Sequence, residues 1–247
     1  FSLIAPEISG ENIVLINIDL PDGAVELRLV VKPNNTVLLW QAIDSYVPPF
    51  YKGKAFPTPE SSIKVVAMPE IIVAKSMLNP KNMTYNWKLD YTNDGGASGY
   101  GKNFFIYTND YLDKVNNVAV NINTVDQQYG VTEDINISSA DAKIVFYKKD
   151  SRFGTMWDNA ITNNHIIFED EILEAHPYFI SPKQLLNPLL SWNWTLNNTP
   201  ISINSIFKNT IPLKKSEGVS GKAVLQVQIE NKYKIFSTAT KELNLEF

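Results

Sequence analysis

Few side chains in this 247-residue sequence can do chemistry, and their spacing narrows what that chemistry could be. There are two histidines, His165 and His176, and no cysteine, which removes thiol nucleophiles, disulfides, iron–sulfur clusters and Cys-ligated zinc together. His165 lies in Asn163-Asn164-His165-Ile166, and His176 precedes Pro177 at a strand end. A Gly-x-Ser-x-Gly elbow is absent, so a serine triad has no nucleophile to build on and no enzyme is expected. Carboxylates gather at Glu133-Asp134, Asp141, Glu169-Asp170-Glu171, and at Asp110 with Asp113. Calcium takes oxygens from such loops, but solvated acidic loops balanced by lysine are the favoured reading and no cofactor is expected. Residues 96–103 (Gly-Ala-Ser-Gly-Tyr-Gly-Lys-Asn) nearly spell a phosphate-binding loop. Asn103 replaces the Ser/Thr, and Phe104-Phe105-Ile106-Tyr107 reads as strand where a helix is needed. A glycine-rich hairpin turn is the better reading.

Aromatic residues are the other candidates. Tyr46, Phe50, Tyr51 and Trp157 fall in Pro-rich or Gly-containing connections, where bulky rings either seal a joint or local mini-core or stand exposed as a ligand platform suited to sugar rings. Trp87 and Trp194 differ from these because they belong to a repeat and read as structural core.

That repeat sets the elements that must position everything else. Ala67-Met68-Pro69 recurs as Ala175-His176-Pro177, Leu78-Asn79-Pro80 as Leu186-Asn187-Pro188, and Tyr85-Asn86-Trp87-Lys88-Leu89-Asp90 as Trp192-Asn193-Trp194-Thr195-Leu196-Asn197. Weaker echoes pair Asp44-Ser45 with Asp150-Ser151 and Tyr51 with Trp157. The two copies of roughly 105 residues match the ~100 residues of an immunoglobulin-type sandwich and exceed any solenoid repeat. Within each copy the hydrophobic period is two: Ile63, Val65 and Ala67; Leu225, Val227 and Ile229; Leu243, Leu245 and Phe247. Short helices are expected at most at 70–78 and 153–161. The expected fold is all-β: two tandem Ig-like (PKD-like) β-sandwiches at 37–139 and 140–247, preceded by an N-terminal β-hairpin segment at 1–36. A short linker is placed at Ser138-Ser139-Ala140-Asp141. The hairpin across Pro21-Asp22-Gly23 completes the first sandwich, belongs to an upstream domain, or lends a strand to a neighbouring subunit.

Composition agrees with a folded domain pair. Hydrophobic residues make up 44% and charged residues 19%, with a net charge of −4, which argues against a phosphate-backbone binder. No nucleic-acid partner is expected, and no apolar run is long enough to span a bilayer. The first residue is Phe, so the sequence reads as a mature or excised piece, which leaves room for a signal peptide upstream.

The Tyr/Trp-Asn-Trp block followed by a turn and an alternating strand resembles the core Trp strand of immunoglobulin-like and PKD-like domains. Together with residues 46–55, Ala67-Met68-Pro69, Ser98-Gly99-Tyr100-Gly101-Lys102 and His176-Pro177-Tyr178-Phe179, the order of motifs is similar to tandem Ig/PKD-like exported proteins of the ultrasmall candidate-phyla bacteria. The likeness spans residues 30–247. It departs from the PKD pattern where Asp90-Tyr91-Thr92 replaces the Gly-Asp-Gly turn. The resemblance implies a non-enzymatic cell-envelope or extracellular protein of structural or adhesive role. Its partner would be a protein or glycan at the cell surface, or further copies of itself. The alternatives are a carbohydrate-binding module using Tyr51 and Trp157, or a strand-donating subunit of a surface filament.

Overall fold

The computed structural model describes residues 12–20, 23–31, 35–73, 76–112, 114–215, 218–231 and 234–247. In chain order the strands begin with β1 (Asn12–Leu20), β2 (Gly23–Val31), β3 (Asn35–Ala42), β4 (Ser62–Glu70), β5 (Ile72–Val73) and β6 (Ser76–Met77). They continue with β7 (Met83–Leu89), β8 (Thr92–Asn93), β9 (Gly99–Tyr100), β10 (Phe104–Thr108), β11 (Val115–Thr124) and β12 (Gly130–Ser138). The second copy holds β13 (Lys143–Asp150), β14 (Gly154–Ile161), β15 (Asn164–Ile166), β16 (Glu171–Tyr178) and the one-turn helix α1 (Pro182–Leu185). It ends with β17 (Leu190–Leu196), β18 (Thr199–Ile201), β19 (Thr210–Leu213), β20 (Lys222–Asn231) and β21 (Lys234–Glu246). The chain divides into two compact units, one of residues 1–40, 64–106 and 116–137, the other of 41–63, 107–115 and 138–247.

The first sandwich consists of sheets β10-β4-β3 and β12-β11-β7-β8, with β9 also paired to β7, and the second of β14-β13-β16-β19 and β15-β21-β20-β17-β18. The main strand order is the same in both copies, with β9 added beside β7 in the first and β14 and β15 added at the edges of the second; β15 runs parallel to β21. The fold is therefore all-β and Ig-like, with each copy burying the period-two residues that its sequence marks. In β20, Ala223, Leu225, Val227 and Ile229 face inward and join Ile144, Phe146, Leu173, Ala175, Trp194 and Leu243 in a core drawn from 142–247 alone. In the first copy Val65, Ala67, Met83, Trp87, Phe105, Val118, Val120 and Ile122 are buried by the same alternation.

The repeated motifs make the same hydrogen bonds in both copies. The indole N–H of Trp87 donates to the Lys102 carbonyl and that of Trp194 to the Lys208 carbonyl, each at 2.9 Å. Ala67 N–H donates to the Asn103 carbonyl (2.9 Å) and Ala175 N–H to the Asn209 carbonyl (2.8 Å). The side chains of Asn79 and Asn187 accept from the backbone N–H two residues on, which explains Leu-Asn-Pro as an Asx turn entering the Trp strand. After that strand, Asp90-Tyr91 and Asn197-Asn198 all have positive φ, the requirement of a two-residue hairpin turn with the native twist. Asp90 and Asn197 then use their side chains to accept from Asn117 N–H and Val224 N–H. Asp90, Asn197 and Asn198 are residue types that adopt the left-handed conformation readily, whereas Tyr91 takes it at a steric cost.

Two details differ from expectation. Residues 153–161 carry strand β14, paired with β13 through an irregular register after Tyr147, and the pairing overrides the weak helix pattern. Within 70–78, Ile72–Val73 pairs antiparallel with Ser76–Met77 as β5 and β6, as the β-branched run Ile71-Ile72-Val73 favours. The expected hairpin β1–β2 forms, in register from Asn12↔Val31 to Leu20↔Gly23, and among the described residues it is a two-stranded sheet of its own. The linker at 138–141 is tied down: Asn109 donates to Ser139 Oγ (2.7 Å), and Ala140 N–H to the Pro57 carbonyl (2.8 Å).

Candidate functional site

The side chains with chemical potential collect on the outer face of sheet β14-β13-β16-β19. Leu173 and Ala175 of β16 point into the core, so the period of two sends Glu174 and His176 outward. Register sets Tyr147 of β13 opposite Glu174 and Val145 opposite His176. Glu174 is buried, and its carboxylate gathers donors from three other strands. Lys149 Nζ donates at 2.6 Å and Thr210 Oγ1 at 3.5 Å to Oε1, Thr155 Oγ1 donates to Oε2, and His176 Nε2 lies 3.3 Å from Oε2. Burial opposes ionisation of Glu174, but the hydrogen bonds from Lys149, Thr155 and His176 outweigh it and hold its pKa below the usual carboxylate range. Burial pushes the His176 imidazole the other way from a free one, lowering its pKa; the neighbouring Glu174 only partly restores it.

Both shifts favour the form present at neutral pH, so both make the native state acid-sensitive. An unfolded histidine takes up its proton near 6.5, while folded His176 does so only lower; Glu174 likewise ionises more readily folded than unfolded. Stability is fully present above about pH 6.5 and declines in two stages, first through the histidine range and then below the ordinary glutamate value. Urea titrations from pH 7.5 down to 3 check this. A gain in stability between pH 7.5 and 5.5 would contradict it, and His176→Gln should flatten the first stage.

Around these groups lies an aromatic cluster. Tyr147, Tyr178 and Phe179 are buried, with Val47, Tyr51 and Trp157 packed against them. Trp157 meets His176 edge-on at 4.5 Å and Tyr147 at 5.2 Å; Tyr51 meets Tyr178 at 5.5 Å and Phe179 at 6.1 Å. The phenols of Tyr147 and Tyr178 share a 2.5 Å hydrogen bond, and burial first, then Tyr147, raises the Tyr178 pKa. Phe179 leaves β16 with φ 70°, a left-handed conformation that costs a bulky residue on the order of 1 kcal/mol or more. It is held there because its N–H donates to the Tyr46 carbonyl (2.6 Å) and its carbonyl accepts from Thr58 Oγ1 (3.1 Å).

The four ring residues singled out by sequence therefore part company. Tyr51 and Trp157 are half-buried members of the cluster, Phe50 stands 82% exposed at a turn, and Tyr46 lines a cleft beside His176. Trp87 and Trp194 are 0% and 2% exposed at the centres of their sandwiches. Glu171 is buried between Lys148 (3.1 Å) and His165 Nε2, and Lys148 also reaches Glu169 at 3.5 Å. Asp170 accepts from Lys215 N–H, Asp134 from Asn117 and Asp110 from Leu112 N–H; Glu133 and Asp141 are exposed, and Asp113 lies outside the described residues. Among the described residues no three His, Asp or Glu side chains converge where a metal ion could sit. In the glycine-rich loop Lys102 Nζ donates to the Gly96 carbonyl at 2.6 Å, so the loop's cation is used by the loop itself. Sequence reading missed Lys149, Thr155 and Glu174. The Glu-x-His spacing on one strand was the available signal, since a separation of two puts both on one face.

These two sandwiches define an Ig-like β-sandwich protein. No protein-family model matches the chain, and no curated protein matches it. Among solved structures it is similar to fibronectin(III)-like modules of CbhA from Clostridium thermocellum, at 10% identity and TM-score 0.26, covering 82% of this chain and 93% of that one. It is also similar to Sidekick-1 immunoglobulin domains 1-4, at 9% identity and TM-score 0.24, over 99% of this chain and 73% of the other. A third is SGBP-B of the Bacteroides ovatus mixed-linkage glucan utilization locus, in complex with a mixed-linkage heptasaccharide, at 9% identity and TM-score 0.23, over 84% and 70%.

Proposed function

We propose that this chain is a non-enzymatic structural and adhesive protein of the bacterial cell surface or extracellular space. One observation supports the reading. The polar groups best suited to catalysis, Glu171, Glu174 and both histidines, are engaged in hydrogen bonds and ion pairs within the second sandwich. That unit meanwhile leaves large apolar side chains in solvent: Leu186, Ile206 and Phe207 are among its most exposed. Apolar groups clustered at a surface mark contact with a partner. No helix among the described residues is long and apolar enough to cross a membrane. An antibody against the chain should label intact producing cells, and beads coated with the chain should adhere to its target surface. Label that appears only after permeabilisation overturns the reading.

A second reading, self-association, rests on the hairpin β1–β2. Ile16 and Ile18 pair with Leu27 and Val25, which places four exposed apolar side chains on one face, and isolated two-stranded sheets are marginal in water. Sedimentation of the purified chain as a monomer removes it.

A further inference from the structure

The second sandwich holds a cleft made by a gap along one edge of β16. Ala175 N–H pairs with the Asn209 carbonyl and Phe179 N–H with the Tyr46 carbonyl, so two different segments cover this edge. Pro177 lies between them and faces the same way by the period of two. Proline has no N–H to leave unpaired, which allows the edge to stay open there. The cleft is about 580 Å³ in volume, within the range of small-ligand sites, and its lining includes Tyr46, Trp192 and Phe207 with His176, Asn187 and Asn209.

The internal repeat shows that this cleft belongs to the second copy. Lys102 and Lys208 occupy equivalent positions because each carbonyl accepts the buried Trp indole, so Gly101 of the first copy corresponds to Phe207 of the second. Gly101 has φ 71°, and a side chain there would begin 3.1 Å from the Lys81 carbonyl oxygen. A side chain at Gly101 would be strained by the left-handed backbone and tight against the Lys81 carbonyl, so the first copy does without the ring that Phe207 supplies. Tyr85, the counterpart of Trp192, is buried with its hydroxyl donating to the Pro80 carbonyl at 2.7 Å. The copies thus keep their shared hydrogen bonds and differ at the residues that line the cleft.

The lining selects among ligand classes. An extended peptide adding to this edge needs the N–H that Pro177 lacks. An anion would find two cations here, both already committed: Lys208 Nζ donates to the Ile203 carbonyl at 3.0 Å, and Lys149, whose Nζ stands 5.5 Å from the Phe207 ring centroid, donates to Glu174 at 2.6 Å. A neutral pyranose suits both features, laying its C–H face on an aromatic ring while its hydroxyls meet amide side chains. We propose that this cleft binds a neutral oligosaccharide through a sugar ring stacked on Phe207, which is 62% exposed. The proposal rests on the adhesive reading and names its ligand.

The test uses the full chain on an array of neutral and of sulfated or carboxylated oligosaccharides, followed by calorimetry with the best-retained neutral glucan or N-acetylglucosamine oligomer. Neutral glycans should be retained. Phe207→Ala should weaken binding at least tenfold with an unchanged melting temperature, Phe207→Tyr should restore it, and Phe153→Ala, at another exposed ring, should leave it intact. Retention of charged glycans alone, no retention, or equal binding by Phe207→Ala overturns the proposal. A chain that labels intact cells yet binds no neutral glycan defeats the cleft assignment alone; a chain found only inside cells defeats the surface reading.

Discussion

Trp194→Ala is expected to lower the stability of the second sandwich by about 3–5 kcal/mol. The ring is 2% exposed, lies 6.0 Å from Phe146 between the two sheets, and its indole N–H satisfies the Lys208 carbonyl at 2.9 Å. Truncation therefore opens a cavity and strips a carbonyl of its donor, and neither loss can be relieved without moving β17. Trp194→Phe separates the two terms by keeping most of the volume and losing only the hydrogen bond, a cost of about 1–2 kcal/mol. Trp87→Ala should behave alike, because Trp87 stacks on Phe105 at 5.7 Å and donates to the Lys102 carbonyl. The cores share no residue, so the two costs should add to within about 0.5 kcal/mol in the double variant. Denaturant unfolding of the three proteins decides this. A cost below about 1 kcal/mol for either single variant, or strong non-additivity, would show that the repeat does not build two separate cores.

Glu174→Ala should be almost as damaging, at about 3 kcal/mol, although it removes a surface-type residue from a strand. The carboxylate is buried and accepts from Lys149, Thr155 and Thr210 beside His176, so its loss leaves four groups on β13, β14, β16 and β19 without their common partner. Glu174→Gln keeps one acceptor oxygen and should cost roughly half as much. Pairing Glu174→Leu with Lys149→Met should recover much of the loss, since a buried ion pair replaced as a unit by apolar groups is often neutral. If the double variant is as unstable as Glu174→Ala, the hydroxyls and the imidazole, rather than the lysine, are what the carboxylate serves.

Much of the architecture was legible because it depends on local regularities. The period of two in Ile63-Lys64-Val65 or Leu225-Gln226-Val227 marks a strand with one wet face whatever the rest of the chain does. The Tyr/Trp-Asn-Trp block names the core ring of each copy. The Asx turns at Asn79 and Asn187 and the two-residue turns after Leu89 and Leu196 are equally local. Helix expectations at 70–78 and 153–161 failed for the complementary reason: a short amphipathic stretch has no preference strong enough to resist a neighbouring strand's open edge.

The candidate sites depended on distances along the chain that no pattern encodes. Tyr51 and Trp157 looked like one class with Phe50 and Tyr46, yet the first two pack against Tyr147 and Tyr178, the third stands in water, and the fourth borders a cleft. The sequence by itself determined a doubled Ig-like sandwich centred on Trp87 and Trp194, since burial periodicity and turn chemistry act over a few residues. Only the tertiary structure decided that Glu174 would hold four strands together and that Phe207 would stand where the first copy has Gly101. Those outcomes require strand register and segments dozens of residues apart to meet, and the energies that settle such meetings belong to packing rather than to any single stretch of chain.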